Sequence, residues 1–358
     1  MFGSPPACDQ LEVTVFGSGY GEAIAVHVGG GNWILVDSCV TPDSSKPTTL
    51  AYLEDIGVQS EQVRVIVASH WHDDHIRGLS ALVNAYPDAD FALSDVFNKK
   101  EAHEFLAAYS GEAAPNQAKG TRELYAAIVS SQKPLYVHQR CIVYEDTSGA
   151  RRVRAVAFTP VQATVAQSLA NMMQNAMTVG RTIGHAPELK PNLEAVVVHI
   201  DLGNEAILLG SDLENAPKKF GWNAVTSDGW CSRQRKAEVY KVAHHGSASG
   251  DSDDIWSTLI AANPYACITP FINGSVRLPT PDDLERIRTR TNQIYLCSGV
   301  SPKPSMSHDL LKKLNNICLN LTRLNTGFGG VRFRKKIGET DWTPELFGAA
   351  KFVGRRAA

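Results

Sequence analysis

Residues 63–68 read VRVIVA and the next seven read SHWHDDH. A continuous apolar run of that length, rich in β-branched residues, is the pattern of a strand covered on both faces. Strands of this kind belong to parallel sheets, whose crossover connections place helices over the sheet. The run therefore commits the chain to an α/β architecture. It also delivers three histidines and two aspartates to its C-terminal end, where α/β proteins commonly place their sites.

The flanking segments agree with that frame. LEVTVFG at 11–17, AIAVHV at 23–28 and WILVD at 33–37 read as strands, with glycines at 29–31 turning between the last two. Residues 48–56 and 79–85 suit short helices, and FALSD is a brief strand. Residues 99–131 suit two helices interrupted by the loop GEAAPNQAKG. VHQRCIVYE and RRVRAVAF read as a hairpin turning at TSG, and 161–177 repeats apolar residues at helical spacing, its methionines (172–177) on a core face. After a loop at 180–192 a second strand-rich half begins, with EAVVVHIDLG, EAILLGSD, VYKVAHHG, YACITPF and QIYLCSG. Helix starts are marked by Ser252, by Thr280-Pro281 and by Ser307. No Pro/Gly/Ser linker separates the halves. The expectation is a single domain over 1–358, with a helical insertion at about 95–135 and a basic C-terminal extension at about 301–358.

A chain of 358 residues can bury a substantial core. No apolar run reaches the roughly 18–20 residues of a membrane span, and MFGSPPACDQ has neither the basic start nor the apolar stretch of a secretion signal. Seven scattered cysteines without a C-x-x-C suit a reducing compartment and small core residues. A cytoplasmic protein is expected. The net charge of −2 is uneven, because residues 301–358 hold 11 Lys/Arg against 4 Asp/Glu, clustered at RFRKK (332–336). That cluster reads as a solvated tail or as a surface for a phosphate-bearing partner.

His70, His72, Asp74 and His75 offer imidazole and carboxylate without thiolate, a donor set suited to Zn²⁺, Mn²⁺ or Fe²⁺. His70 and His72 lie two apart and point the same way on an extended segment. Asp74 and His75 follow where a turn could aim them at a second ion. Two later strand ends could close such a centre: Asp212 in ILLGSD and the pair His244-His245 in KVAHHGS. Ser69, Ser211 and Ser247 beside them read as loop hydrogen-bonders, since none has a separate base. G-S-G-Y-G at 17–21 lacks the Lys-Ser/Thr of a phosphate loop and reads as a tight turn. Trp71 and Tyr20 could stack a base or pack beneath the loop.

Together, VDS with Asp37, the H-x-H-x-D-H string, Asp212 and His244/His245 resemble the metallo-β-lactamase superfamily in order and spacing. FGSGYGEAIAV, K-V-x-H-H-G-S and ACITPFINGSVRLPTPDDLERI are further similar to the hydrolase domain of competence-type DNA-uptake channel proteins. Departures are Tyr20 for Gln, Glu22 for Asp, and Thr280 before Pro281 where His is usual. The resemblance implies a four-layer αββα sandwich holding one or two Zn ions, with Mn possible. It implies His70 and His72 on one ion, with Asn192 or His185 as third ligand. Asp74, His75 and His245 or His244 would hold the other, and Asp212 would bridge. Asp37 would hydrogen-bond a ligating histidine, and Asp74 and Asp212 would act catalytically. The implied activity is water activation for a phosphodiesterase or nuclease acting on a phosphate-containing substrate, possibly nucleic acid or a nucleotide. Alternatives are a carboxylic ester, lactone or β-lactam hydrolase, or a partner-gated module using the 95–135 segment.

Overall fold

Two eight-stranded sheets absorb the strand patterns of both halves. The computed structural model describes residues 2–40, 46–109, 118–149, 151–178, 189–217, 219–299 and 327–355. The first sheet takes β1 (Gln10–Gly17), β2 (Glu22–His27), β3 (Trp33–Val36), β4 (Val63–Val67), β5 (Asp90–Ser94) and β6 (Pro134–Val137). The second takes β7 (Ile142–Asp146), β8 (Val153–Ala157), β9 (Val198–Asp201), β10 (Ala206–Leu209), β11 (Ala237–Lys241) and β12 (Ile260–Ile268). A small hairpin of β13 (Phe271–Asn273) and β14 (Val276–Leu278) precedes β15 (Gln293–Leu296), which rejoins the second sheet. The chain then returns through β16 (Gly329–Lys336) and β17 (Thr343–Gly348) on the first sheet and β18 (Lys351–Phe352) on the second. The strand orders are 17-16-1-2-3-4-5-6 and 18-15-12-11-10-9-8-7. β3 to β6 run parallel, as do β10, β11, β12 and β15, and the remaining pairs of both sheets are antiparallel.

The alternation of β4 shows how the layers form. Val65 and Val67 face the second sheet, packing in one core with Ile24, Val36, Val198, Ile207 and Val239. Val63 and Ile66 face outward into a second core. That core is covered by α1 (Thr48–Asp55), α2 (Asp73–Ile76), α3 (Leu79–Ala85), α4 (Lys100–Tyr109), α5 (Ala118–Ser130) and α6 (Gln162–Thr178). On the far side, α7 (Gly221–Thr226), α8 (Asp253–Thr258) and α9 (Pro281–Arg288) cover a third core around Leu208, Tyr240 and Trp222. The result is the four-layer αββα sandwich that the motifs implied. Each large side chain buried in these cores contributes about 1.5–3 kcal/mol.

Three expectations change. VHQRCIVYE is not one strand: β6 ends at Val137 in the first sheet, the chain turns at Arg140 (φ 75°), and β7 begins in the second. The periodicity runs through the crossover and hides it. Within 95–135, α4 and α5 bury Phe105, Leu106, Leu124 and Ala127 in the outer core, so these two helices belong to the helical layer. RFRKK lies in β16, next to β1. Arg332 pairs with Glu345, Arg334 with Glu12 (2.7 Å), and Lys335 with Glu205 and Glu238 (3.4 and 3.2 Å), and Arg332 and Lys335 are buried. Arg332, Arg334 and Lys335 thus pair with neighbouring glutamates, while Lys336 stays exposed beside Asp9. Thr280 caps α9 in a reciprocal box with Asp283, while Ser252 begins α8 without a capping hydrogen bond. Met172 is fully buried on α6 and Met173 is exposed. Ser307 and Cys318 lie outside the described residues.

Candidate metal centre

The parallel strands set the site. Asp37 follows β3, Ser69–His75 follow β4, Asp212 follows β10 and His244-His245 follow β11, so carboxyl ends from both sheets meet at one edge. Backbone hydrogen bonds fix that meeting. Asp37 N donates to Val67 O (2.8 Å), Ser38 N to His75 O (2.7 Å) and His244 N to Ser211 O (2.9 Å). Val196 N donates to Ser69 O (2.8 Å) and so ties the approach to β9 to the histidine loop. Gly210 permits the approach of β10 to β11, since a Cβ there would lie 2.9 Å from Lys241 O.

Asp74, His75, Asp212 and His245 converge, each offering one ligand atom within 4.8 Å of the others, all buried. His245 Nε2 lies 3.1 Å from Asp212 Oδ2 and 3.3 Å from Asp74 Oδ2. His75 Nε2 lies 3.4 Å from Asp212 Oδ1 and 3.6 Å from Asp74 Oδ2. His75 Nε2, His245 Nε2 and Asp212 Oδ1 are buried without a hydrogen-bond partner. Buried polar atoms in that state are costly, and a divalent cation would satisfy all three. The donor set and the orphaned atoms fit a metal ion.

The other ring nitrogens are held from behind. Asp37 Oδ2 lies 2.7 Å from His75 Nδ1, and the same carboxylate accepts from Ser69 N and Ser69 Oγ (both 2.7 Å). Thr269 O accepts from His245 Nδ1 (2.8 Å). Each contact fixes the tautomer that leaves Nε2 free for a metal. Burial alone would lower the basicity of these rings. The carboxylates prevail, with Asp212 and Asp74 raising His245 to about 9 and, with Asp37, holding His75 well above its ordinary value. Burial likewise works against ionised Asp74 and Asp212, but His75 and His245 hold both below the usual carboxylate range.

The second group is arranged differently. His70 Nε2 and His72 Nδ1 lie 3.0 Å apart, and His70 Nδ1 contacts Ser69 Oγ (3.0 Å). Burial lowers the pKa of both rings, and in His70 the charges of His75 and His72 add to the effect. His244 is outside the tetrad. Its Nδ1 contacts Ser249 Oγ (2.8 Å) and its Nε2 faces Asn192 Nδ2 (3.3 Å). Asn192 Nδ2 also donates to Glu214 Oε1 (2.6 Å), leaving Asn192 Oδ1 buried and without a partner. The structure thus puts His245 in the tetrad and places His244 and Asn192 together beside it. His185 lies outside the described residues.

Several participants escaped the sequence reading. Buried Lys241 lies 2.5 Å from Glu22 Oε2 and 3.8 Å from Asp212 Oδ1, and Thr269 Oγ1 donates to the same Glu22 carboxylate. A lysine inside the apolar run VYKVA was the available signal. Buried Glu194 accepts from Trp71 Nε1 (3.2 Å), and burial lifts its carboxyl to about 7. Trp71 packs edge-on against Phe105 below the loop, and Tyr20 lies between Arg77 and Phe271, which itself stacks on His245. G-S-G-Y-G is a turn in which Gly21 (φ 135°) passes so close to Cys39 that a Cβ would lie 2.7 Å from it. Ser247 accepts from Ser249 N, a loop role. Asp37, Ser211, His244 and His245 all adopt left-handed φ values of 47–60°. Strained residues of this kind cluster at functional sites and cost about 1–3 kcal/mol each.

Residues 19–133 match the family model described as metallo-beta-lactamase superfamily, a span that includes Asp37 and His70–His75 and stops before Asp212 and His245. No curated protein matches the chain. Among solved structures, the chain is similar to the metallo-beta-lactamase fold protein YhfI from Bacillus subtilis. Identity is 12%, coverage 80% of this chain and 95% of that one, and the TM-score 0.40. It is also similar to the metallo-beta-lactamase SMB-1 (15% identity, 68% and 82% coverage, TM-score 0.36). A third is the dizinc quorum-quenching lactonase AidC (17%, 53% and 55%, TM-score 0.31). Among the described residues no helix is long and apolar enough to cross a membrane.

Proposed function

We propose that this protein is a metal-dependent hydrolase of the metallo-β-lactamase fold that uses activated water to cleave an ester-type bond. The convergence of Asp74, His75, Asp212 and His245 with orphaned donor atoms carries the reading. Those four residues would hold one divalent ion, Zn²⁺ or Mn²⁺, and His70 and His72, with Asn192, would hold a second. A bound ion supplies hydroxide at neutral pH, because it lowers the pKa of water to about 7. Asp37 and Thr269 present the imidazoles in the required tautomer. Asp74, ionised at neutral pH, would accept a hydrogen bond from the attacking water and so orient it. Lys241 balances part of the carboxylate charge around Asp212.

Both a phosphodiester and a carboxylic ester suit this chemistry. The competence-type resemblance supports the first, including nucleic acid or a nucleotide. The basic C-terminal cluster no longer adds support, because Arg332 and Lys335 are buried in ion pairs. Free cysteines, among them buried Cys39, Cys231, Cys267 and Cys297, support a cytoplasmic setting. The decisive experiment loads the protein with Zn²⁺ or Mn²⁺ and follows bis(p-nitrophenyl) phosphate and p-nitrophenyl acetate, beside Asp212→Ala. Turnover of either, lowered about a thousandfold in the variant, is expected. Protein with confirmed metal that hydrolyses neither would sink the proposal.

A further inference from the structure

Asp212 Oδ1 is buried without a hydrogen-bond partner, although an ammonium group stands only 3.8 Å away. That ammonium belongs to Lys241, the last residue of β11, whose side chain is fully buried. Opposite charges this close in a dry interior normally close to hydrogen-bond contact. Here the lysine is engaged elsewhere. Its Nζ pairs with Glu22 Oε2 at 2.5 Å and donates to Ser211 O at 3.1 Å. A move of roughly 1 Å would bring it within hydrogen-bond range of Asp212.

Glu22 is itself held. It opens β2 in the first sheet and is fully buried, so its pair with Lys241 spans the two sheets. Thr269, just past the end of β12, donates its hydroxyl to the same Glu22 Oε2, while its carbonyl accepts from His245 Nδ1 (2.8 Å). One residue thus fixes a tetrad histidine and the partner of the lysine. Burial opposes the charge on Lys241, but Glu22, ahead of Asp212, outweighs it and keeps the group an ammonium.

A metal ion and an ammonium group would compete for the same oxygen. A lysine bonded to Asp212 Oδ1 would have to be displaced before a metal could bind there. Glu22 stands where it removes that competitor, and its own negative charge favours a nearby cation. Loss of Glu22 therefore works against the metal twice, and loss of Lys241 does not work against it at all. An ion pair that only joined the sheets would behave otherwise, because removal of either member leaves a buried charge uncompensated and disturbs the site in the same sense.

We propose that Glu22 is a positioning residue that keeps Lys241 off Asp212 and so leaves Oδ1 open to the metal ion. This rests on the metal centre proposed above and adds a role for two residues outside its ligand set. The test is titration with Zn²⁺ against a chelating indicator at one neutral pH. Glu22→Gln should weaken the tighter ion by about tenfold or more, whereas Lys241→Met should bind at least as tightly as wild type. The double variant Glu22→Gln/Lys241→Met should return to within about threefold of wild type, the non-additivity expected when one residue acts through the other. Thr269→Val keeps every charge and loosens only the hold on Glu22. It should weaken binding by less than Glu22→Gln does.

Similar weakening in Glu22→Gln and Lys241→Met would overturn this role and leave the metal centre standing. Should circular dichroism show either single variant unfolded, the charge-balanced double variant and Thr269→Val decide. A folded double variant that binds tenfold more weakly than wild type, or Thr269→Val with unchanged affinity, overturns the role. Wild-type protein that binds no Zn²⁺ would overturn the centre itself, and the role of Glu22 with it.

Discussion

The two halves of the candidate centre are built from the same residue types and reach different states. On one side, His75 and His245 have Nδ1 fixed by Asp37 and Thr269, and both Nε2 atoms turn toward Asp74 and Asp212. On the other side, His70 and His72 contact each other, and Asn192 turns its amide nitrogen to Glu214 and His244. The first half offers a cation four groups that have no better partner. The second must give up side-chain contacts before it can bind. Donor identity alone does not make a metal site, since what lies behind each donor decides whether its lone pair is available. The first half should therefore bind tightly and the second more weakly.

Replacing each of the adjacent histidines gives the largest contrast. His245→Ala should weaken the tight ion by a hundredfold or more, and His244→Ala by less than about tenfold. Metal titration against a chelating indicator measures both, and equal losses would erase the distinction between the halves. Asp37→Asn comes next, because the amide keeps the shape while losing the charge that holds the His75 tautomer. A loss of about 10–100-fold in metal affinity is expected, and an unchanged affinity would mean that the ring is oriented without Asp37.

A third prediction concerns stability instead of metal affinity, through Glu194, which braces Trp71 beneath the weaker half. Its folded-state pKa of about 7 lies above its ordinary 4.5, so the folded protein holds this proton more strongly than the unfolded chain. Its stabilising contribution is complete below pH 4.5 and disappears as pH rises through 7. Between those limits the loss is at most about 3 kcal/mol. Urea unfolding of wild type and Glu194→Gln at pH 5 and pH 8 should show the variant gaining relative stability at the higher pH. A difference that does not change with pH would mean that Glu194 ionises normally in the fold.

Legibility followed locality. VRVIVA-SHWHDDH disclosed its strand and its donors because both are encoded in adjacent residues. Asp212 and His245 were readable as polar groups ending apolar runs. β16 was not, because VRFRKK looks like a charged tail unless Glu12, Glu205, Glu238 and Glu345 are known to stand beside it. The change of sheet at Arg140 was hidden for the opposite reason, since the local pattern is regular on both sides of it. His244 and His245 share sequence context completely, and only their packing, against Asn192 in one case and Thr269 in the other, separates their roles.

The pairing of β1 with β16 matters for how the protein is made. Gln10 faces Lys336 and Gly17 faces Gly329. A ribosome therefore releases every residue of the candidate centre before it releases the strand that covers the flank of β1. Until then β1 has β2 on one side and an open edge on the other, the kind of edge onto which a second nascent chain can add. Glu12, buried in the finished fold, waits through the same interval for Arg334. That edge stays open until residue 336 has emerged, and slow translation or scarce chaperone in the interval would favour addition of a second chain there.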